Sequence, residues 1–144
     1  MDYQLFDDLE REMEERQSLI WFDAQLSDLA SEREAQQILN QIAVEEQETL
    51  DELQKLYHSL MKQNYVCTDR PKPQIVRYED GLRVRILREI RAERDYGEQC
   101  AKTADTTIRK AMFLQFSASL QRVQRLTYLL LCAEKGNARR PASV

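Results

Sequence analysis

The chain has 144 residues, of which 42% are apolar and 32% charged, and its 21 basic and 25 acidic side chains leave a formal charge of −4. That length supports one domain with a single core and excludes a large multi-domain enzyme. Breakers are scarce: Gly81, Gly97, Gly136, Pro71, Pro73 and Pro141 leave residues 1–70 and 82–135 with only Gly97 as an interruption. Such a chain is all helical. Neither G-x-G-x-x-G nor G-x-x-x-x-G-K-[ST] occurs, which excludes dinucleotide and nucleoside triphosphate chemistry of those kinds.

The basic residues are dispersed, so no footprint for a nucleic-acid backbone is expected. The opening MDYQLFDDLERE is acidic where a signal peptide is basic and then apolar, and the longest apolar run, Tyr128 to Ala133, is too short to span a bilayer. No membrane partner and a cytoplasmic location are the resulting expectations. Cys67, Cys100 and Cys132 never form C-x-x-C and are expected to be buried small hydrophobes rather than a disulfide or zinc framework.

In chain order, apolar residues step by three and four from Leu5 to Leu29, marking a first helix. Ser31 followed by Glu34 has the form of a capping box and predicts the start of a second, which runs through Ala35, Leu39, Ile42, Leu53, Leu56 and Leu60 to about Gln63. Residues 64–80, NYVCTDRPKPQIVRYED, hold both interior prolines and lack a helical period, so they read as a crossover. A third helix follows Leu82, Ile86, Ala92, Tyr96 and Cys100, a turn falls at Lys102 to Thr106, and a fourth follows Ile108, Met112, Leu126, Leu129 and Ala133. The fold class is therefore all-α: a four-helix bundle of two helical hairpins joined by a long crossover, covering 1–134, with 135–144 as a flexible C-terminal tail. The paired Arg139 and Arg140 read as part of that solvated tail. Trp21 and Phe22 read as core and dimer-contact aromatics, and bundles of this size commonly associate, so a homodimer is expected.

Charges interrupt each apolar stripe near its middle. The first helix reads Leu5, Asp8, Glu12, Glu15, Leu19, Phe22, and the second reads Ile42, Glu46, Thr49, Leu53. The third reads Ile86, Glu89, Glu93, Tyr96, and the fourth reads Met112, Gln115, Ser119, Arg122, Leu126. An isolated buried carboxylate costs several kcal/mol unless it is paired, metal-bound or protonated, so interruptions at matching depth call for a shared cause. The halves also repeat: Glu15 to Phe22 and Glu89 to Tyr96 are each seven residues, and Glu15 to Glu46 and Glu89 to Ser119 are 31 and 30.

On this repeat, and on the segments YHSLMKQNY, RYEDGLRVRILREIRAERDY and TTIRKAMFLQFSASLQRVQRLTYLL, the chain resembles the ferritin-like superfamily, specifically bacterial rubrerythrin-like bundles. The resemblance covers about residues 5–132. In that superfamily one Glu from the first helix of each hairpin and Glu-x-x-His from the second hold two irons. Position by position, it implies that Glu15, Glu46 and Glu89 stand at metal-ligand positions. Thr49 stands where the family has the histidine of the second helix, and Ser119 and Arg122 stand where it has the glutamate and histidine of the fourth. The only histidine, His58, is twelve residues beyond Glu46 and cannot fill either place.

The resemblance thus implies a degenerate site. The expected reading is a non-catalytic ferritin-like bundle, a scaffold or interaction protein with an unidentified protein partner, needing no cofactor. Arg122 would supply positive charge where the family places metal, hydrogen-bonded with Ser119, Thr49 and Tyr96. One guanidinium cannot neutralise three carboxylates. The alternative is a rubrerythrin-like metal-binding or oxidoreductase protein whose altered carboxylate site takes iron or another divalent metal. A third reading is a coiled-coil-like partner protein whose glutamates specify register. The repeat and the crossover argue against this last one.

Overall fold

The structure, a computed structural model, describes residues 3–72 and 74–139. It consists of four helices, α1 (Tyr3–Leu29), α2 (Arg33–Met61), α3 (Tyr78–Lys102) and α4 (Thr106–Arg139), with no strand among the described residues. The all-α class, the two hairpins and the long link between them are as the sequence predicts. The chain divides into two compact units, the first holding α1, α2 and the link through Ile75, the second holding α3 and α4.

The first hairpin turns where the amide of Ala30 closes on the carbonyl of Leu26 at 2.9 Å and the chain becomes extended at Glu32. The Ser31 capping box is not formed. Glu32, not Ser31, is the N-cap residue and makes no side-chain cap bond, because the hydroxyl of Ser31 lies one position too early. The Gln36 side chain holds the turn instead, donating to the Ala30 carbonyl at 2.9 Å. Helix α2 stops at Met61, two residues earlier than predicted, where Lys62 takes a left-handed conformation (φ 59°) and its amide donates to the His58 carbonyl.

In the second hairpin α3 begins at Tyr78, four residues before Leu82, with Glu79 and Asp80 in its first turn where the helix dipole favours them. Gly81 is therefore a buried helical residue and not a breaker. The turn falls at residues 103–105, as predicted. There the Asp105 carboxylate accepts from the Ile108 amide at 3.0 Å and caps α4. Helix α4 continues beyond Glu134 to Arg139, passing through Gly136, and Asn137 donates to the Glu79 carboxylate at 2.7 Å. Residues 140–144, including Arg140, lie outside the described residues.

The link after α2 lies along α1. Tyr65 donates its hydroxyl, and Thr68 its amide, to Glu14, each at 2.7 Å. The Ile75 amide donates to the Gln25 side chain at 3.2 Å. The Lys72 ammonium sits 3.2 Å from the centre of the Trp21 ring, so Trp21 is a 41% exposed platform for a cation rather than a core residue. Phe22, beside it in sequence, is buried.

The cysteines depart from expectation as well. Cys67 and Cys100 are half-buried and Cys132 is exposed, because none of them lies on a fully buried helix line.

Candidate functional site: buried arginine and carboxylate pairs

Each helix positions its buried charges through the order in which three- and four-residue steps alternate. On α1 the buried line is Leu9, Glu12, Arg16, Leu19, Asp23 and Leu26, with Asp8, Met13 and Phe22 beside it. From Glu12 it steps four to Arg16 and then three to Leu19. The predicted order was the reverse and led to Glu15, which is half-buried. On α3 the line is Leu82, Arg85, Glu89, Ala92 and Tyr96, so Arg85 replaces Ile86 as a buried residue and Glu93 is half-buried. On α2 the predicted Ala35, Leu39, Ile42, Glu46, Thr49 and Leu53 are all buried, but Tyr57 is buried where Leu56 and Leu60 were expected. On α4 Ile108, Met112, Ser119, Arg122, Leu126 and Leu129 are buried as predicted, and Gln115 and Ala133 are half-buried.

The buried charges meet in pairs. In the first hairpin the Arg16 guanidinium donates from Nη1 to Oε2 of Glu46 at 2.7 Å, and both side chains are fully buried. In the second, Glu89 lies between two guanidinium groups. It accepts from Arg85 Nη1 at 2.9 Å and, on its other oxygen, from Arg122 Nε at 2.6 Å. Arg122 also donates to the Ser119 hydroxyl at 3.3 Å. Arg122 therefore does not reach out to solvent; it is 1% exposed. The second hairpin's network holds together Glu89, Ser119 and Arg122 of the predicted set. Thr49 is buried one turn beyond Glu46 on α2.

The buried positions of the two hairpins match at a constant offset of 73 residues. Leu9, Glu12, Arg16, Leu19 and Asp23 correspond to Leu82, Arg85, Glu89, Ala92 and Tyr96. Ala35, Leu39, Glu46, Thr49 and Leu53 correspond to Ile108, Met112, Ser119, Arg122 and Leu126. Pairing Glu15 with Glu89 and Glu46 with Ser119 needs two offsets, 74 and 73. A single offset makes Arg16, not Glu15, the counterpart of Glu89. It also turns Glu12 and Arg16 into Arg85 and Glu89, the same four-residue spacing with the charges exchanged.

Sequence reasoning missed Arg16, Arg85 and Asp23 as buried residues, while Asp8, on the predicted stripe, is buried. The signal for two of them was present: Glu12-x-x-x-Arg16 and Arg85-x-x-x-Glu89 are opposite-charge pairs at helical spacing on lines otherwise apolar. At each place an acidic or apolar neighbour, Glu15 or Ile86, fits the period equally well.

The residues do not fit a di-iron centre. A carboxylate that accepts a charge-assisted bond from a buried guanidinium offers that oxygen to the arginine, and both oxygens of Glu89 are engaged so. No imidazole is at hand, since His58 is exposed in the last turn of α2. Among the described residues, no three or more His, Cys, Asp and Glu side chains gather into a group that could hold a metal ion. What the arrangement does chemically is neutralise and hydrogen-bond the charges interrupting each stripe.

No protein-family model and no curated protein matches the sequence. Solved structures do. A hypothetical protein from Pyrococcus furiosus superposes with a TM-score of 0.79 at 16% identity, over 90% of this chain and 89% of that one. A conserved hypothetical protein from Mycobacterium tuberculosis gives 0.76 at 10% identity, over 90% of this chain and all of that one. A two-domain protein from Anabaena variabilis, containing DJ-1/ThiJ/PfpI-like and ferritin-like domains, gives 0.65 at 15% identity. This chain covers 40% of its length. At such identities the likeness establishes a shared four-helix fold. No helix among the described residues is long and apolar enough to cross a membrane.

Proposed function

We propose that the chain is a non-catalytic member of the ferritin-like superfamily, on its rubrerythrin-like side, that works in the cytoplasm as a scaffold or interaction protein. The observation carrying this reading is the fully buried engagement of Glu46 by Arg16 and of Glu89 by Arg85 and Arg122. Those two carboxylates stand at positions the family resemblance gives to metal. Guanidinium groups compensate them there permanently, in a way that needs neither metal nor a redox step. The ferritin-like domain of the Anabaena neighbour supports the superfamily assignment.

Elemental analysis of the purified chain, followed by thermal melts with added iron or manganese, tests the reading. A ligand that binds the folded state raises its stability in proportion to RT ln(1 + [L]/Kd), so a metal site would lift the melting temperature as metal is titrated. The expected result is substoichiometric metal and an unmoved transition. Close to two irons per chain, or a saturating rise in melting temperature, would restore the oxidoreductase alternative.

A further inference from the structure

Helix α4 has an outer face unlike that of its counterpart in the first hairpin. Between residues 111 and 133 its exposed positions include Phe113 (57% exposed), Leu114, Leu120, Tyr128 and Leu131 (53%), and not one is charged. The corresponding stretch of α2, residues 38–60, exposes Glu48, Asp51, Glu52 and Lys55. Since the two helices share five buried positions at the 73-residue offset, the fold itself does not demand an uncharged exterior on α4. Exposed apolar surface of this extent on one helix marks an interaction site.

The spacing of the face and the charges at its ends identify the occupant. Lys110, Phe113, Ser117, Leu120, Gln124, Thr127, Leu131 and Glu134 lie along one face of α4, with apolar Phe113, Leu120 and Leu131 set between a cation at one end and an anion at the other. This seam is complementary to itself when reversed. An antiparallel copy centred on residue 122 sets Phe113 opposite Leu131, Ser117 opposite Thr127 and Leu120 opposite Gln124, with Lys110 opposite Glu134 at both ends. A two-fold interface requires this self-complementarity. On α3, Arg83 reaches Glu134 at 3.0 Å, and the exposed Leu87 and Ile90 continue its line one and two turns further on. They widen the apolar strip beside the seam.

We infer that the outer face of α4 docks against the same face of a second copy of this chain, antiparallel, as a two-fold homodimer. About 36 Å of seam and a helix width of about 10 Å give about 400 Å² per copy. That is roughly half of a standard interface, the size class of weak, transient association. The inference does not rest on the reading of the buried arginines, because oligomeric state and metal content are independent readouts.

Sedimentation velocity of the full chain from about 1 to 500 μM tests it. The expected result is a monomer–dimer equilibrium that Leu131→Glu weakens by tenfold or more. Lys110→Glu should also weaken it, since Glu134 of the partner subunit then faces a like charge, and the exchange K110E/E134K should recover most of the loss. Val44→Glu, at an exposed apolar position on α2, should leave it unchanged. All these positions are exposed, and circular dichroism verifies that each variant is folded. A wild-type chain that stays monomeric throughout overturns the inference and leaves the face to a different protein. Dissociation by Val44→Glu with no effect of Leu131→Glu overturns it in favour of another surface.

Discussion

Arg16 on α1 and Glu89 on α3 hold the same place in their two hairpins, 73 residues apart, and carry opposite charges. Each binds a buried partner of the other sign on the second helix of its own hairpin, Glu46 for Arg16 and Arg122 for Glu89. The repeat has therefore kept a buried ion pair at one depth while exchanging which helix supplies the cation. A pair of this kind adds little net stability over an apolar alternative, yet removing one member leaves an uncompensated charge and costs about 3–5 kcal/mol.

The second hairpin allows that statement to be graded. Glu89→Gln removes the carboxylate charge shared by two buried guanidinium groups and should cost about 3–5 kcal/mol. Arg122→Met removes the shorter of the two bonds to Glu89 and should cost about 3 kcal/mol. Arg85→Met leaves the Arg122 bond intact and should cost less than either. Urea unfolding of the three variants gives the order. A stable or stabilised Arg122→Met would mean that the network does not matter to the fold.

Gly97 on α3 and Gly136 on α4 should respond differently to alanine. A Cβ at Gly136 meets nothing within 4 Å, so Gly136→Ala should gain about 0.5–1 kcal/mol from helix propensity alone. A Cβ at Gly97 would lie 3.3 Å from the Phe116 ring, tighter than ordinary contact, so the same propensity gain is offset by displacing the ring. Thermal melts should rank Gly136→Ala above Gly97→Ala, and equal gains would show that Phe116 gives way freely.

Lys62 ends α2 at φ 59°, a conformation that costs a residue with a Cβ about 1–2 kcal/mol. Lys62→Gly removes that cost but enlarges the entropy of the unfolded chain, for a net gain of about 0.5–1 kcal/mol. Its amide bond to the His58 carbonyl is retained, so the gain should appear in the denaturant midpoint without a change in slope.

The contact between Tyr65 and Glu14 should be lost at both ends of the pH scale. Burial works to raise the carboxyl pKa of Glu14, but the Thr68 amide and the Tyr65 hydroxyl outweigh it and hold the group below its ordinary 4.5. That contribution is complete above pH 4.5 and disappears as the pH falls through the depressed value. Burial, together with the bond to Glu14, pushes the Tyr65 phenol from 10.0 up to about 12, so its contribution is complete below pH 10 and is lost between about 10 and 12. Tyr65→Phe should flatten the alkaline part of the stability profile in that window. An unchanged profile would place the alkaline loss on another tyrosine, such as Tyr57 or Tyr78, whose phenols are also raised.

The order of the helices, the turn at 103–105 and nearly all of the buried line of α4 are legible in the sequence, because a period of 3.6 survives interruptions; the helix ends are not, and α4 runs on through residues 135–139, expected as a tail. Glu46, Glu89, Ser119 and Arg122 are legible through the same period. Arg16 and Arg85 are not. A three-four pattern leaves two neighbouring residues equally admissible at each turn, and only the packed helix decides between Glu15 and Arg16 or between Ile86 and Arg85. Local capping is not legible either, because a favourable pair, Ser31 and Glu34, sits one residue from the true N-cap, Glu32.

The link after α2 carries a consequence for its permissible length. Thr68 is fixed to Glu14 and Ile75 to Gln25, so seven residues of link span eleven of α1, a distance of about 16 Å. Seven residues can reach about 24 Å when extended. The slack is therefore about two residues. The connection between the hairpins is a measured strap, tolerant of insertion yet intolerant of any deletion in 69–74 longer than that slack, which would lift it from Glu14 or from Gln25.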